Sequence, residues 1–405
     1  MARGRDPKGG QMGAVQADSS AVFEITARDT ATAARCGRLH TAHGPVDTPV
    51  FMPVGTYGAV RSVAAWELEE LGYRMILANT YHVALRPGVE TVRRFGGLHR
   101  FMGWNSPILT DSGGYQVFSL AGFRRVTDEG VEFRSHVDGS LRWLTPESAM
   151  SLQRDFASDI AMVLDECLHY PVPYDYACKA VERTLAWAAR CRAQPRAPGQ
   201  LVFGIVQGGA YGDLRRRCAR ELVAMGFDGY AVGGVSVGEP EPVLLRWAAE
   251  TAHLLPEDRP RYLMGVGMFN QMVEAVAAGI DMFDCVMPTR FARNGTAFTR
   301  EGRYPVKAAV YRDDPLPLEE GCTCPACRRY SRGYIRHLLN AGESLGMRLL
   351  TLHNLHCYQR FVQDMRDSIR TGRFSTFREE VARTYTRIRR EHLEKTASKT
   401  GGVGR

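Results

Sequence analysis

Three aspartates in this sequence sit at the end of, or inside, a short apolar run: Asp111 in "PILTDSGG", Asp165 in "IAMVLDEC" and Asp284 in "MFDCVMPTR". Two further runs end in an amide, Gln207 of "LVFGIVQGG", and in bare backbone at Gly233 and Gly234 of "YAVGGVSVG". A carboxylate matches two adjacent N–H donors, as on the N1 and N2 edge of guanine, while an amide and backbone N–H groups match a carbonyl such as O6. Tyr115, directly after "DSGG", and Met264, in "RYLMGVG", would supply the walls between which a base stacks. A carboxylate beside a ribosyl C1′ can displace a base and form a glycosyl ester, with a second acid moving the proton. The pattern therefore predicts a site for a guanine-like base in which Asp284 attacks the sugar. Arg290 and Arg293, in the loop that follows, would hold neighbouring phosphates or bases. Crowding of the acids is expected to raise their pKa values. The competing reading, that each aspartate caps the helix after its strand, fits any one of them better than all three.

A second constellation has metal chemistry. "CTCPAC" places Cys322, Cys324 and Cys327 within six residues, and "LHNLHC" offers His353, His356 or Cys357 as a fourth ligand, among which spacing does not choose. Four protein ligands leave no open position, so such a metal, expected to be zinc, would be structural.

The elements that must position these residues are legible as eight apolar runs, the five above together with "PVFMPVG", "RMILANTY" and "RYLMGVG". Continuous apolar runs suit strands buried on both faces, and the amphipathic stretches between them, such as "AWELEELGY" and "FNQMVEAVAAGI", suit covering helices. The predicted fold class is α/β: a (β/α)8 TIM barrel over residues 21–310 with a zinc-binding helical subdomain over 311–395 packed on it. Residues 1–20 and 396–405 read as disordered tails. A hairpin is expected through "GRLHTAHGPVDTP", and a second, with a type I′ turn at Asp138-Gly139, inside "VEFRSHVDGSLRWL". Thr145 should cap a helix begun by Pro146, Thr376 with Glu379 should open the last helix, and Tyr330, Tyr334 and His337 should share one helical face.

The chain has 405 residues, 44% hydrophobic, with a net charge of +8 from 52 Lys and Arg against 44 Asp and Glu. That is ample for a large core, and the arginine excess suits a phosphate-bearing partner without demanding one. With no apolar run long enough to span a bilayer and no secretory signal, a cytoplasmic protein without a membrane partner is expected.

"TPVFMPVGT", "NTYHVALRPG", "DSGGYQVFSL", "LDEC", "GIVQGG", "GFDGYAVGGVSVGE", "YLMGVG", "FDCVMPTRFARNG", "CTCPAC" and "LHNL" together resemble the bacterial queuine tRNA-ribosyltransferases, or tRNA-guanine transglycosylases, from about residue 22 to 390. The resemblance implies exchange of guanine at wobble position 34 of GUN anticodons, in the tRNAs for aspartate, asparagine, histidine and tyrosine, for 7-aminomethyl-7-deazaguanine (preQ1) in queuosine biosynthesis. It makes Asp284 the nucleophile and Asp111 the general acid/base. Asp111, Ser112, Gly113, Gly114, Tyr115, Asp165, Gln207, Gly234 and Met264 would bind the base. Gly265, Val266, Gly267, Met268, Phe269, Asn270 and Gln271, with Thr289, Arg290, Phe291, Ala292 and Arg293, match RNA-binding regions, although Met268, Phe269 and Phe291 depart from the usual residues. Cys322, Cys324, Cys327 and His353 match the ligands of one structural zinc per chain, and a homodimer is implied. Cys167 and Val237 look like the bacterial choices that accompany preQ1. The alternative, a non-catalytic RNA-binding partner subunit of such an enzyme, is disfavoured by the presence of both Asp284 and Asp111.

Overall fold

The computed structural model describes residues 21–120 and 123–384. The two expected tails lie outside them, as do residues 385–395 of the C-terminal unit.

All eight apolar runs are strands: β1 (Val50–Gly55), β2 (Ile76–Ala78), β3 (Ile108–Thr110), β4 (Ile160–Met162), β5 (Leu201–Val206), β6 (Gly229–Val232), β7 (Arg261–Leu263) and β8 (Met282–Cys285). They pair in parallel, each with its sequence neighbours, and β8 closes the barrel on β1 with Asp284 beside Met52. Every residue of β1 is buried, as a sheet filled inside and covered outside requires. Helices Ala65–Glu70 and Phe269–Ala277 stand where the amphipathic stretches predicted them.

An antiparallel sheet, Phe23–Arg28, Arg35–Leu39 and Val46–Thr48, lies against the start of the strands. Buried Arg35 there grips both oxygens of Asp281, at 2.9 and 2.7 Å, just before β8. His43 and His99, their rings stacked at 3.6 Å, both reach Asp159 just before β4, at 2.8 and 3.0 Å. Those are hydrogen-bond distances, shorter than the roughly 3.3 Å between nitrogen and oxygen ligands of tetrahedral zinc, so this group serves as a clasp.

Between β3 and β4 an inserted sheet comprises Arg124–Val126, Val131–Arg134 and Leu141–Leu144. Its second hairpin lacks the predicted two-residue turn. Arg134 pairs with Leu141, so a six-residue loop intervenes, and of Asp138 and Gly139 only Gly139 has positive φ, whereas a type I′ turn needs both. Asp138 instead accepts from the Ser140 hydroxyl at 2.7 Å, a local bond that stabilises the wider loop. Thr145 caps helix Pro146–Asp155 as expected.

Beyond β8 come helix Met287–Arg293, hairpin Thr296–Thr299 with Gly302–Pro305, the cysteine segment, helix Arg332–Ala341 and the long helix Ser344–Arg370. This last helix serves two cores. Leu355, Tyr358, Val362 and Met365 join the barrel core, while Leu349 and Leu350 join a second cluster around Cys324 and Ile335. Two expectations fail here. The final helix is already under way at residue 374, two residues before Thr376, anchored by buried Phe374 rather than by a threonine cap. Tyr330 precedes helix Arg332–Ala341 instead of sharing its face, although its ring stacks on exposed Tyr334 at 5.5 Å.

Candidate active site

The barrel strands point their C-terminal ends at one mouth, and Asp111, Asp165, Gln207, Gly233, Gly234 and Asp284 lie at or just past those ends. Asp111 directly follows β3. Its carboxylate collects Asn79 Nδ2 at 2.5 Å, Gln116 Nε2 at 2.8 Å, and the backbone N–H groups of Thr80 and Gly113 at 2.9 and 3.2 Å. Burial pushes its pKa up to about 6 and these donors pull against the rise. A carboxyl held there exchanges its proton near neutral pH, as general acid/base work requires.

Asp165, three residues past β4, accepts from Gln207 Nε2 at 2.6 Å through Oδ2. Burial raises it too to about 6, with Glu166 and Asp111 adding smaller contributions. Desolvation rather than mutual repulsion thus dominates, which corrects the emphasis on crowding. Beneath it, buried Glu166 is held by Tyr176 Oη at 2.7 Å and by Arg183.

These shifts make a prediction about stability. A group raised in the folded state stabilises the protein fully below its unfolded pKa and loses that contribution as pH rises through the folded value. Asp165→Asn removes the buried charge while keeping an acceptor for Gln207. It should therefore raise the melting temperature at pH 7.5, by roughly 2 kcal/mol or less in stability terms, and the gain should vanish as pH falls from about 6 to 4. Scanning calorimetry across that range checks it; a pH-independent difference would remove burial of the charge as its cause.

Asp284 lies within β8. Tyr262 Oη at 2.6 Å and the Gly265 N–H at 2.8 Å both donate to Oδ1. Among the described residues no donor reaches Oδ2. Burial raises the Asp284 pKa and the two donors oppose it. Tyr262 in turn is pushed well above its ordinary range, by burial first and then by Asp284, so it stays a donor.

The glycines of the β6 loop have a steric reason. A Cβ on Gly233 would stand 2.8 Å from Gln207 Nε2, and one on Gly234, at φ +62°, 2.4 Å from Gln207 Oε1. Ser112, Gly113 and Gly114 line the β3 side, Tyr115 stands half exposed, and Met264 is partly buried at the end of β7.

The two segments matched to RNA binding are mixed in exposure. Gly265 and Arg290 are exposed, whereas Val266, Gly267, Thr289 and Ala292 are buried and Met268 and Arg293 are partly buried. Asn270 and Gln271 both donate to Glu241, at 3.1 and 2.9 Å. The unusual Phe269 stacks on Phe361 at 4.1 Å and tilts against Phe298, and Phe291 meets the same Phe298 edge-on at 5.4 Å, so both departures build one aromatic cluster. A cavity of about 890 Å³ beside that cluster is lined by none of Asp111, Asp165 and Asp284.

At the metal site, Cys322, Cys324 and Cys327 Sγ lie 3.7, 3.6 and 3.3 Å from His353 Nδ1. Tetrahedral zinc would set sulfur and nitrogen ligands about 3.5 Å apart, so the four residues fit one ion. His353 Nε2 bonds the Phe298 carbonyl at 2.7 Å, which leaves Nδ1 free of its proton to face the metal. His356 meets Thr323 instead, and Cys357 is buried outside the group.

Asn79, Gln116, Tyr262 and Glu166 were not singled out from sequence. Asn79 alone carried a signal, since it ends the β2 run as the aspartates end theirs.

A closed parallel barrel with three carboxylates and an amide at the C-terminal ends of its strands, together with a closed Cys3His group, defines a (β/α)8 enzyme whose chemistry belongs at that mouth. More specifically, the chain belongs to the queuine tRNA-ribosyltransferase family, whose model matches residues 29–387. Curated queuine tRNA-ribosyltransferases from Pelotomaculum thermopropionicum and Staphylococcus aureus are 55% and 51% identical over 363 and 353 residues, covering 90% and 87% of this chain and 98% and 93% of the relatives. That from Symbiobacterium thermophilum is 50% identical over 383 residues, 94% of this chain and 96% of its own. Membership makes the protein a pentosyltransferase.

Proposed function

We propose that this chain exchanges guanine at position 34 of GUN-anticodon tRNAs for preQ1 by double displacement. Asp284 Oδ2 attacks C1′ of the nucleoside, the C1′–N9 bond breaks with its electron pair passing to guanine, and Asp111 supplies the proton that neutralises the leaving base. A ribosyl ester on Asp284 remains. The incoming base then attacks C1′ through N9, its proton passes to Asp111, and the ester C–O bond breaks to restore the carboxylate. Asp165 accepts from the N1 and N2 edge, Gln207 and the Gly234 N–H donate to O6, and Tyr115 and Met264 flank the ring. Arg290 and Arg293 meet the phosphates. Zinc, held by Cys322, Cys324, Cys327 and His353, would tie the C-terminal segment together and take no part in chemistry. A cytoplasmic homodimer is the expected form. Among the described residues no helix is long and apolar enough to cross a membrane.

The observation that carries the reading is the one-sided tethering of Asp284: Oδ1 is fixed by two donors and Oδ2 is left for substrate, at the mouth shared with the Asp165–Gln207 pair. Cys167 and Val237, with a cavity of about 180 Å³ beside Gly234 and Val237, favour the small aminomethyl substituent. Offering guanine, preQ1 and queuine separately to unmodified tRNA tests this. Guanine and preQ1 should enter position 34 and queuine should not; entry of queuine at a similar rate would overturn the substrate assignment, and no exchange of any base would overturn the activity.

A further inference from the structure

Arg215, in helix Gly212–Met225, is 1% exposed, although Arg216 beside it is exposed. Its guanidinium makes no ion pair among the described residues. Instead Nε donates to the Gly209 carbonyl at 2.7 Å, Nη1 to Gly233 at 3.1 Å and Nη2 to Gly234 at 3.0 Å. A buried cation without a counter-acid is costly, and desolvation lowers its pKa to about 10. An apolar side chain would fill the same space without that cost, so the carbonyl grip itself calls for a purpose.

In a trans peptide the N–H points opposite to the C=O. With the Gly233 and Gly234 carbonyls turned onto Arg215, the N–H groups of Gly234 and Val235 face the other way, and neither has a protein acceptor among the described residues. The loop rests directly on the Gln207 amide, and the third carbonyl held, that of Gly209, belongs to the turn that follows Gln207. One guanidinium thus ties together both loops that present donors to a base carbonyl.

We infer that Arg215 is a positioning residue for base recognition: it fixes the direction of the Gly234 N–H, and the place of Gln207, toward the 6-carbonyl of a guanine-like base. This rests on the exchange reaction proposed above. Lysine, with a point charge, cannot span three carbonyls as the planar fork does.

The test uses the full-length enzyme and its Arg215→Lys and Arg215→Gln variants in guanine exchange. KM for guanine should rise about tenfold or more, with a smaller change in kcat and with KM for tRNA and metal content unchanged. Arg215→Lys should fall between the wild type and Arg215→Gln. 2-Aminopurine, which lacks the 6-carbonyl, separates positioning from general loosening: as an inhibitor its affinity should change little, so the preference for guanine over it shrinks. An unchanged guanine KM, or a preference that stays constant while both affinities drop, would overturn the inference, as would insolubility of both variants, which would mark Arg215 as a folding residue. Absence of exchange by the wild type would instead count against the proposed function.

Discussion

Asp284→Asn is expected to lower base exchange on the order of 10⁴-fold or more while leaving tRNA binding roughly unchanged, because in the proposed mechanism it removes the nucleophile and ends covalent catalysis without touching the binding surface. The substitution is chosen for its geometry. An asparagine Oδ1 can still accept from Tyr262 Oη and the Gly265 N–H, which now lie 2.6 and 2.8 Å from the carboxylate. The loop after β7 and the strand itself therefore keep their restraints, and what disappears is the anionic Oδ2. Incorporation of labelled guanine, measured beside tRNA affinity in a filter-binding titration, separates the two effects. Exchange at a near-normal rate would remove Asp284 from its assigned role, and parallel loss of tRNA binding would show that the variant had damaged more than the nucleophile.

The second large effect concerns the metal. If the site holds the proposed zinc, Cys324→Ser should reduce bound metal from about one ion per chain to a small fraction and lower the melting temperature by several degrees, since a closed thiolate site contributes folding energy outright. Activity should fall with it through a traceable chain of contacts. His353 sits on helix Ser344–Arg370, and five residues further along Tyr358 Oη donates to the Gly267 carbonyl at 2.7 Å. Gly267 is two residues from Gly265, whose N–H holds Asp284. Loosening the helix at His353 thereby loosens the tether of the carboxylate. Metal analysis of the purified variant together with calorimetry checks this; full metal content, or an unmoved melting curve, would contradict it.

The strands were legible because a covered parallel barrel buries both strand faces, so each wrote itself as an unbroken apolar run. The same rule made Asp111, Asp165 and Asp284 conspicuous, since a charge at the end of such a run has few other reasons to be there. What escaped was whatever resembles ordinary core or ordinary surface. Tyr262, inside "RYLMGVG", is indistinguishable from a packing residue until Asp284 is seen 2.6 Å from its hydroxyl. Arg215 hides in three consecutive arginines, of which it alone is buried. Asn79 reaches Asp111 from the β2 loop, a contact set by tertiary structure, and Gln116 reaches it from the first turn of the following helix, where nothing in the sequence marks it apart from an ordinary polar residue. The turn at Asp138-Gly139 misled because side-chain bonding by Asp138 favours a wider loop over the tight turn that the dipeptide usually makes. Phe269 and Phe291 looked like disturbances of an RNA surface because no sequence rule shows that both pack on Phe298.

The most direct measurement looks for the intermediate itself. Enzyme mixed with cognate tRNA and denatured within one turnover should yield a covalent protein–RNA species that hydroxylamine cleaves and that peptide mapping assigns to Asp284, absent in Asp284→Asn. Exchange proceeding with no such species, or an adduct on Asp111 or Asp165, would contradict the account.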